Sequence, residues 1–183
     1  MSVWAVTTPI LLCPDRMGPA APPLPATVSH VHKILVTGMS GTGKSTALRE
    51  LALRGFPVVD TDEPGWKELC GGEWVWREDR IAELLAADGG RTLYVSGCVS
   101  NQGRFYDRFD AVVLLSAPAD VILSRIATRT TNDFGKAQGE RALILADLES
   151  TEPRLRATCT HEIDATRPVD DVVEALIAMG LSG

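Results

Sequence analysis

The sequence predicts an α/β protein, a three-layer α/β/α sandwich around a five-stranded parallel sheet. Three observations carry this. From Lys33 onward, apolar runs of strand length alternate with segments of helical period. A glycine-rich turn joins the first run to the first helix, as in a βαβ unit. The chain has 183 residues, 45% of them apolar, which suits one core that needs no disulfide or metal staples.

The elements follow in order. Strands are expected at 33–37, 57–60, 92–96 and 111–115, where short β-branched or apolar runs stand, and at 161–164, a last short strand. The first helix carries Leu48, Leu51 and Ala52 and ends at Gly55. The second carries Ile81, Leu84 and Leu85 and is closed by Gly89-Gly90. A third follows Pro118 with Val121, Ile122, Arg125, Ile126 and Arg129 at helical spacing, and Leu143 to Leu148 lie in a fourth. Pro168 opens a last helix through Val172, Val173, Leu176 and Ile177, stopped by Gly180.

Residues 1–32 differ. Pro9, Pro14, Pro19, Pro22, Pro23 and Pro25 break every apolar period, so a disordered Pro-rich tail is expected ahead of a body spanning 33–183. A reading frame that truly starts at Met17 or later is the alternative. The apolar stretch from Val3 to Cys13 has no basic flank and is interrupted by Pro9, which argues against a signal peptide.

Composition narrows the function. Eighteen Lys and Arg against 24 Asp and Glu leave a net charge of −6, unlike a protein that grips nucleic acid. No apolar run reaches the ~18 residues of a membrane span. Cys13, Cys70, Cys98 and Cys159 form no C-x-x-C pair, nor a zinc spacing with His30, His32 or His161. Scattered single cysteines suit a reducing, cytoplasmic setting.

Gly38-Met39-Ser40-Gly41-Thr42-Gly43-Lys44-Ser45 fits G-x-x-x-x-G-K-[ST] between a strand and a helix, the context that gives this motif meaning. Its backbone N–H groups form a nest for phosphates, and the following helix points its positive end there. Lys44 is expected on the β- and γ-phosphates, Ser45 on Mg²⁺, and Thr46 at the edge of the cradle. ATP or GTP is the implied ligand. No [NT]-K-x-D guanine motif and no L-S-G-G-Q occur, which weakens a GTPase and a transporter ATPase.

From Lys33 to its end the chain resembles the small P-loop kinases: shikimate kinase, gluconate kinase and adenylate kinase. The resemblance implies a nucleoside-monophosphate-kinase-like sandwich with strand order 2-3-1-4-5, using Mg-ATP. Asp60-Thr61-Asp62 resembles the Asp-x-Asp that shikimate kinases carry after their second strand. It implies Asp60 near Mg²⁺ and Asp62 at the acceptor hydroxyl. The end of a parallel strand beside the cradle is a sound place for such carboxylates. A turn or N-cap role before Pro64 is the alternative for Asp62.

Gly72-Glu73-Trp74-Val75-Trp76-Arg77-Glu78-Asp79-Arg80 resembles that family's G-E-x-x-F-R-x-x-E, with Arg80 in place of the last Glu. It implies that Arg77 holds the acceptor's anionic group, through the fork that suits carboxylate or phosphate. Trp66, Trp74 and Trp76 suggest an apolar wall. The chain also departs from shikimate kinase. Ser96-Gly97-Cys98 stands where three glycines are usual, and Glu152 rather than Arg precedes Pro153. Ser96 and Gly97 still fall at a strand end and are expected to line the acceptor pocket, while Cys98 packs.

Arg125 and Arg129 lie four apart on one helix face. With the polar run Thr130 to Lys136 they resemble the lid of small kinases, placed at about 130–140, where arginine closes over the transferring phosphoryl group. Lys136 and Arg141 are weaker members. The run Asp164-Ala165-Thr166-Arg167-Pro168 resembles the loop that packs on adenine, which puts Thr166 and Arg167 at the nucleotide.

The expectation is an Mg-ATP phosphotransferase, a monomer or homodimer, acting on a small and anionic acceptor. A nucleotide or nucleoside kinase on the same fold is one alternative. An ATP-binding switch that hydrolyses slowly and signals to a partner is another.

Overall fold

A computed structural model of the chain describes residues 32–87, 89–129 and 138–181. The elements are β1 (Lys33–Thr37), α1 (Lys44–Leu53), β2 (Val58–Asp60), β3 (Lys67–Cys70), β4 (Glu73–Trp76), α2 (Glu78–Ala86) and β5 (Leu93–Ser96). They continue with a 3-10 turn (Gln102–Arg108), β6 (Ala111–Ser116), α3 (Ala119–Thr128), α4 (Gln138–Ser150), α5 (Glu152–Thr158), β7 (His161–Asp164) and α6 (Val169–Leu181). The expected tail, apart from His32, lies outside the described residues. So does the expected lid from Thr130 to Lys136.

The main sheet is five-stranded and all parallel, in the order β2-β5-β1-β6-β7. Counted along the main sheet's own strands, that is 2-3-1-4-5. Alternate residues of β1 serve opposite faces, as strand geometry demands. Ile34 and Val36 pack with Ala47, Leu48 and Leu51 of α1 and Val172, Val173 and Leu176 of α6. Leu35 packs on the other face with Ile81 and Leu85 of α2, Trp76 of β4 and Phe105. Burial on both faces explains why β1, β5 and β6 read as nearly continuous apolar runs.

Sequence reasoning missed the antiparallel hairpin of β3 and β4. Its two-residue turn is Gly71-Gly72, both with φ > 0, the backbone that a type I′ hairpin turn requires. Arg77 is the extended N-cap residue of α2. α5 was also unforeseen, because Pro153 sits at its permissive first turn. Gly180 does not stop the last helix. It lies buried within α6 because a Cβ there would press to 2.8 Å on both Thr92 and the Tyr94 hydroxyl.

Candidate functional site

The cradle joins β1 to α1 along the carboxyl edge of the sheet. Gly38 approaches the carbonyl of Leu115 so closely that any Cβ would collide with it, so the first glycine of the motif is sterically required. Thr42 closes the loop by donating from its hydroxyl to the carbonyl of Met39 at 2.9 Å. The Lys44 ammonium is buried and donates to the carbonyls of Gly38 and Met39 at 2.7 and 3.1 Å. Its charge is thereby held inside the loop that would wrap phosphates.

The Ser45 hydroxyl donates to Asp60 Oδ2 at 2.7 Å. Asp60 Oδ1 accepts the backbone N–H of Asp62 at 3.1 Å. The carboxylate of Asp62 pairs with Lys67 of β3 at 2.5 Å, and Lys67 lies over the Trp74 ring, 5.7 Å from its centroid. A polar chain thus runs from the first turn of α1 to the hairpin. Hydroxyl and carboxylate oxygens are hard donors, and their convergence beside the phosphate cradle fits Mg²⁺. Among the described residues no group of three or more His, Cys, Asp or Glu forms a self-sufficient metal site. Mg²⁺ that is carried largely by nucleotide phosphates needs none.

The remaining predicted residues fall in three places. Arg125 donates to the carbonyls of Ala165 at 2.7 Å and Thr42 at 3.4 Å, which braces the loop after β7 against the cradle. Arg129 reaches the Ser40 hydroxyl at 3.3 Å, and burial lowers its pKa from the ordinary guanidinium value. Thr166 donates its N–H and hydroxyl to Asp164, which holds that carboxyl below its usual range, the hydroxyl contributing most. Arg167 pairs with Asp171 at 3.5 Å.

Arg77 is exposed and lies 4.0 Å from Asp79, while Asp62 pairs with Lys67, so no described contact joins Arg77 to Asp62. Gly97 is a packing glycine: a Cβ there would collide with the Thr61 hydroxyl and come to 2.8 Å of the Trp76 ring. Trp76 is fully buried and donates from Nε1 to Thr61 Oγ1 at 2.8 Å, and Thr61 donates in turn to the Ser96 carbonyl at 2.7 Å. Burial pushes the Cys98 thiol up, opposed by the Lys44 charge and a hydrogen bond to Thr37. A raised thiol is a poor nucleophile, which suits packing.

Three contributors escaped the sequence reading. Lys67 was silent because it belongs to none of the motifs read in the sequence. Asn101 clamps the backbone of Trp76 from both sides, accepting its N–H at 2.8 Å and donating to its carbonyl at 3.1 Å. Gln102, buried, donates to Thr37 Oγ1 at 3.2 Å and to the Tyr106 hydroxyl at 2.9 Å. The only cue in the sequence was a polar Asn-Gln pair just past a strand end.

With this geometry in place, the family described as "AAA domain" matches residues 34–146, from β1 into α4. The chain belongs to that AAA domain family. No curated protein matches it. Among solved structures, a shikimate kinase from Acinetobacter baumannii in complex with shikimate is similar at 18% identity and TM-score 0.59, over 83% of this chain and 94% of that one. A shikimate kinase from Bacteroides thetaiotaomicron is similar at 19% and 0.60, over 81% and 97%. Deoxyadenosine kinase from M. mycoides with bound dATP is similar at 15% and 0.55, over 80% and 97%. This AAA domain protein therefore has the fold of the small P-loop kinases. Among its described residues no helix is long and apolar enough to cross a membrane.

Proposed function

We propose that this protein transfers the γ-phosphoryl group of Mg-ATP to a small anionic acceptor in the cytoplasm. The observation that carries the reading is the Ser45–Asp60 hydrogen bond of 2.7 Å beside the buried Lys44 ammonium, which brings a phosphate cradle and a hard-oxygen cation site together.

Phosphoryl transfer asks the protein chiefly to position and to neutralise charge. Backbone N–H groups from Met39 to Ser45 cradle the phosphates, with Gly41 and Gly43 shaping the loop, and Lys44 turns from its carbonyls onto the nucleotide. Ser45 and Asp60 hold Mg²⁺, which neutralises charge on the phosphates when bound. Thr46, in the first turn of α1, stands at the edge of the cradle. Thr166 and Arg167 flank the base. Asp62 orients the acceptor hydroxyl and accepts its proton. Arg129, beside Ser40, supplies positive charge to the transferring group. Arg77 receives the acceptor's anionic group, and the 130–140 segment excludes water.

A nucleoside or nucleotide acceptor is the second reading, favoured by the likeness to a deoxyadenosine kinase. The test is ADP release over hydroxy-acids, sugars, nucleosides and nucleotides. A hydroxy-acid that stimulates release at least tenfold supports the first reading, and a nucleoside that alone does so supports the second. Mg-ATP binding with slow hydrolysis and no stimulation by any acceptor leaves a signalling ATPase.

A further inference from the structure

Of the three tryptophans that suggest an apolar wall, two serve the fold. Trp76 is fully buried, and Trp66 packs against the same cluster with the Arg80 guanidinium over its ring, 4.9 Å from the centroid. Trp74 is 56% exposed, and Leu69, directly across the hairpin from it, is 62% exposed. Facing residues of an antiparallel pair share a face, as do residues two apart on one strand. Lys67, Leu69, Trp74 and Trp76 therefore line one face of the hairpin, and Glu68, Cys70, Glu73 and Val75 the other. The first face is anchored at one end, where Trp76 donates to Thr61, and open at the other.

The open end is held in place beside Asp62. The Trp74 carbonyl accepts the N–H and the hydroxyl of Ser100 at 3.3 and 3.2 Å. Lys67 donates to Asp62 at 2.5 Å and lies 5.7 Å from the indole centroid, so carboxylate and indole flank one ammonium. The Asp62 side chain is itself open to solvent. A contiguous exposed apolar pair next to such groups marks a binding surface. A platform whose backbone is already fixed gives up little freedom when a ligand lands on it. The charged pair at its edge selects the kind of ligand. A protein face laid over the hairpin would strip Lys67 and Asp62 of water, whereas a small polar molecule leaves them partly wet. The π face of an indole favours a second flat ring.

We propose that Trp74, with Leu69 beside it, is the shelf on which the phosphoryl acceptor lies, and that the acceptor carries a flat, unsaturated ring. The assignment deepens the phosphotransfer reading above and rests on it. The ring stacks on the indole while the acceptor's hydroxyl is directed to Asp62. An aromatic hydroxy-acid and a nucleotide both combine a flat ring with an anionic group. Trp74 touches the ring and not the reacting atoms, so it sets which acceptor binds and leaves the chemical step to Asp62.

The test uses the full-length chain saturated with Mg-ADP, which fills the nucleotide site, and titration calorimetry with two matched pairs of probes. One pair is hydroxybenzoate and hydroxycyclohexanecarboxylate. The other is uridine monophosphate and ribose phosphate. Each pair offers the same anion with and without a flat ring. Wild type should bind the flat member of one pair at least about tenfold more tightly than its partner. A preference in the first pair names an aromatic acid, and one in the second a nucleobase. Trp74→Ala should lose the preference and Trp74→Phe keep most of it. Both variants should bind Mg-ADP as wild type does and melt within about 2 °C of it, because the side chain is more than half in water. If wild type binds flat and saturated members alike, or binds neither, the shelf assignment falls. It falls equally if the preference survives Trp74→Ala. A change of oligomeric state in Trp74→Ala with the preference intact makes this face an interface between copies instead. Should wild type bind no Mg-ADP, the phosphotransfer reading itself fails.

Discussion

Arg125 donates to the carbonyl of Ala165 at 2.7 Å, across 40 residues of sequence, while its other arm reaches the Thr42 carbonyl at 3.4 Å. One guanidinium thus ties the loop after β7 to the phosphate cradle. This makes Arg125 a brace for the nucleotide site. The helical spacing of Arg125 and Arg129 shows their common face, but not that one ends on backbone carbonyls and the other on Ser40.

The two arginines should therefore separate. Arg125→Ala removes charged hydrogen bonds worth roughly 2 kcal/mol, which for a chain of this size lowers the melting temperature by about 4–8 °C. ATP affinity should fall about tenfold as the base loop loosens. Arg129→Ala should leave affinity within about threefold and reduce turnover, since its charge is needed as the phosphoryl group transfers. Calorimetry and single-turnover kinetics distinguish the two. Equal effects of both variants on affinity would return Arg125 to the lid.

Lys44 has a structural duty as well, because it satisfies the carbonyls of Gly38 and Met39. Lys44→Met keeps the buried stem and removes the charge. We expect Mg-ATP affinity to fall by at least about a hundredfold, with a melting temperature lower by only a few degrees. Full retention of affinity in titration calorimetry would refute the cradle assignment.

What the sequence disclosed has a physical pattern. β1 and β6 were legible because strands of a covered parallel sheet need uninterrupted apolar residues, and the cradle because its spacing is dictated by phosphate geometry. The hairpin was not, although Gly71-Gly72 between Lys67-Glu68-Leu69-Cys70 and Glu73-Trp74-Val75-Trp76 is a hairpin signal. Asn101 and Gln102 act through backbone and side-chain hydrogen bonds and leave no period. Ser96 was visible as a strand end, but only the sheet register shows which face it occupies.

Trp76 fixes the hairpin to the sheet through Thr61 and Ser96. Trp76→Phe leaves a cavity and removes the Nε1 donor, at a combined cost of about 2–4 kcal/mol. Denaturant unfolding should show a lower midpoint with an unchanged slope. A loss under about 0.5 kcal/mol would mean that the hairpin is held elsewhere.

Arg156 forks onto Glu162 at 2.8–3.1 Å, and Ser116 donates to the same carboxylate at 2.6 Å. These bonds, Arg156 foremost, hold the Glu162 carboxyl below its usual range. A depressed carboxylate stabilises the fold fully above the unfolded-chain value of about 4.3, and loses that contribution as pH falls through the lower folded value. The group is partly exposed, so the effect is small. Glu162→Gln should be less stable than wild type at pH 7, and the gap should close below about pH 4. A gap independent of pH would assign the loss to packing.

The last prediction concerns the acceptor. A hydroxyl attacking the γ-phosphate needs a base at the mouth of the cradle, the role proposed for Asp62, whose N–H donates to Asp60. An anionic acceptor approaching Asp60 and Asp62 meets two negative charges, so a cation must stand near. Two are at hand. Arg77, at the N-cap of α2, is exposed and only loosely paired with Asp79, so its fork is open to a carboxylate or phosphate. Lys67 is already engaged with Asp62 and lies over Trp74, so it serves better to position the base than to receive the acceptor. Asp62→Asn should therefore lower kcat about a hundredfold with little change in acceptor KM. Arg77→Ala should raise acceptor KM about tenfold and leave kcat within about threefold. Lys67→Ala should lower kcat, with partial recovery in Lys67→Arg. If instead Lys67→Ala raises acceptor KM while Arg77→Ala changes nothing, the acceptor's charge rests on the hairpin, and Arg77 is a surface residue of α2.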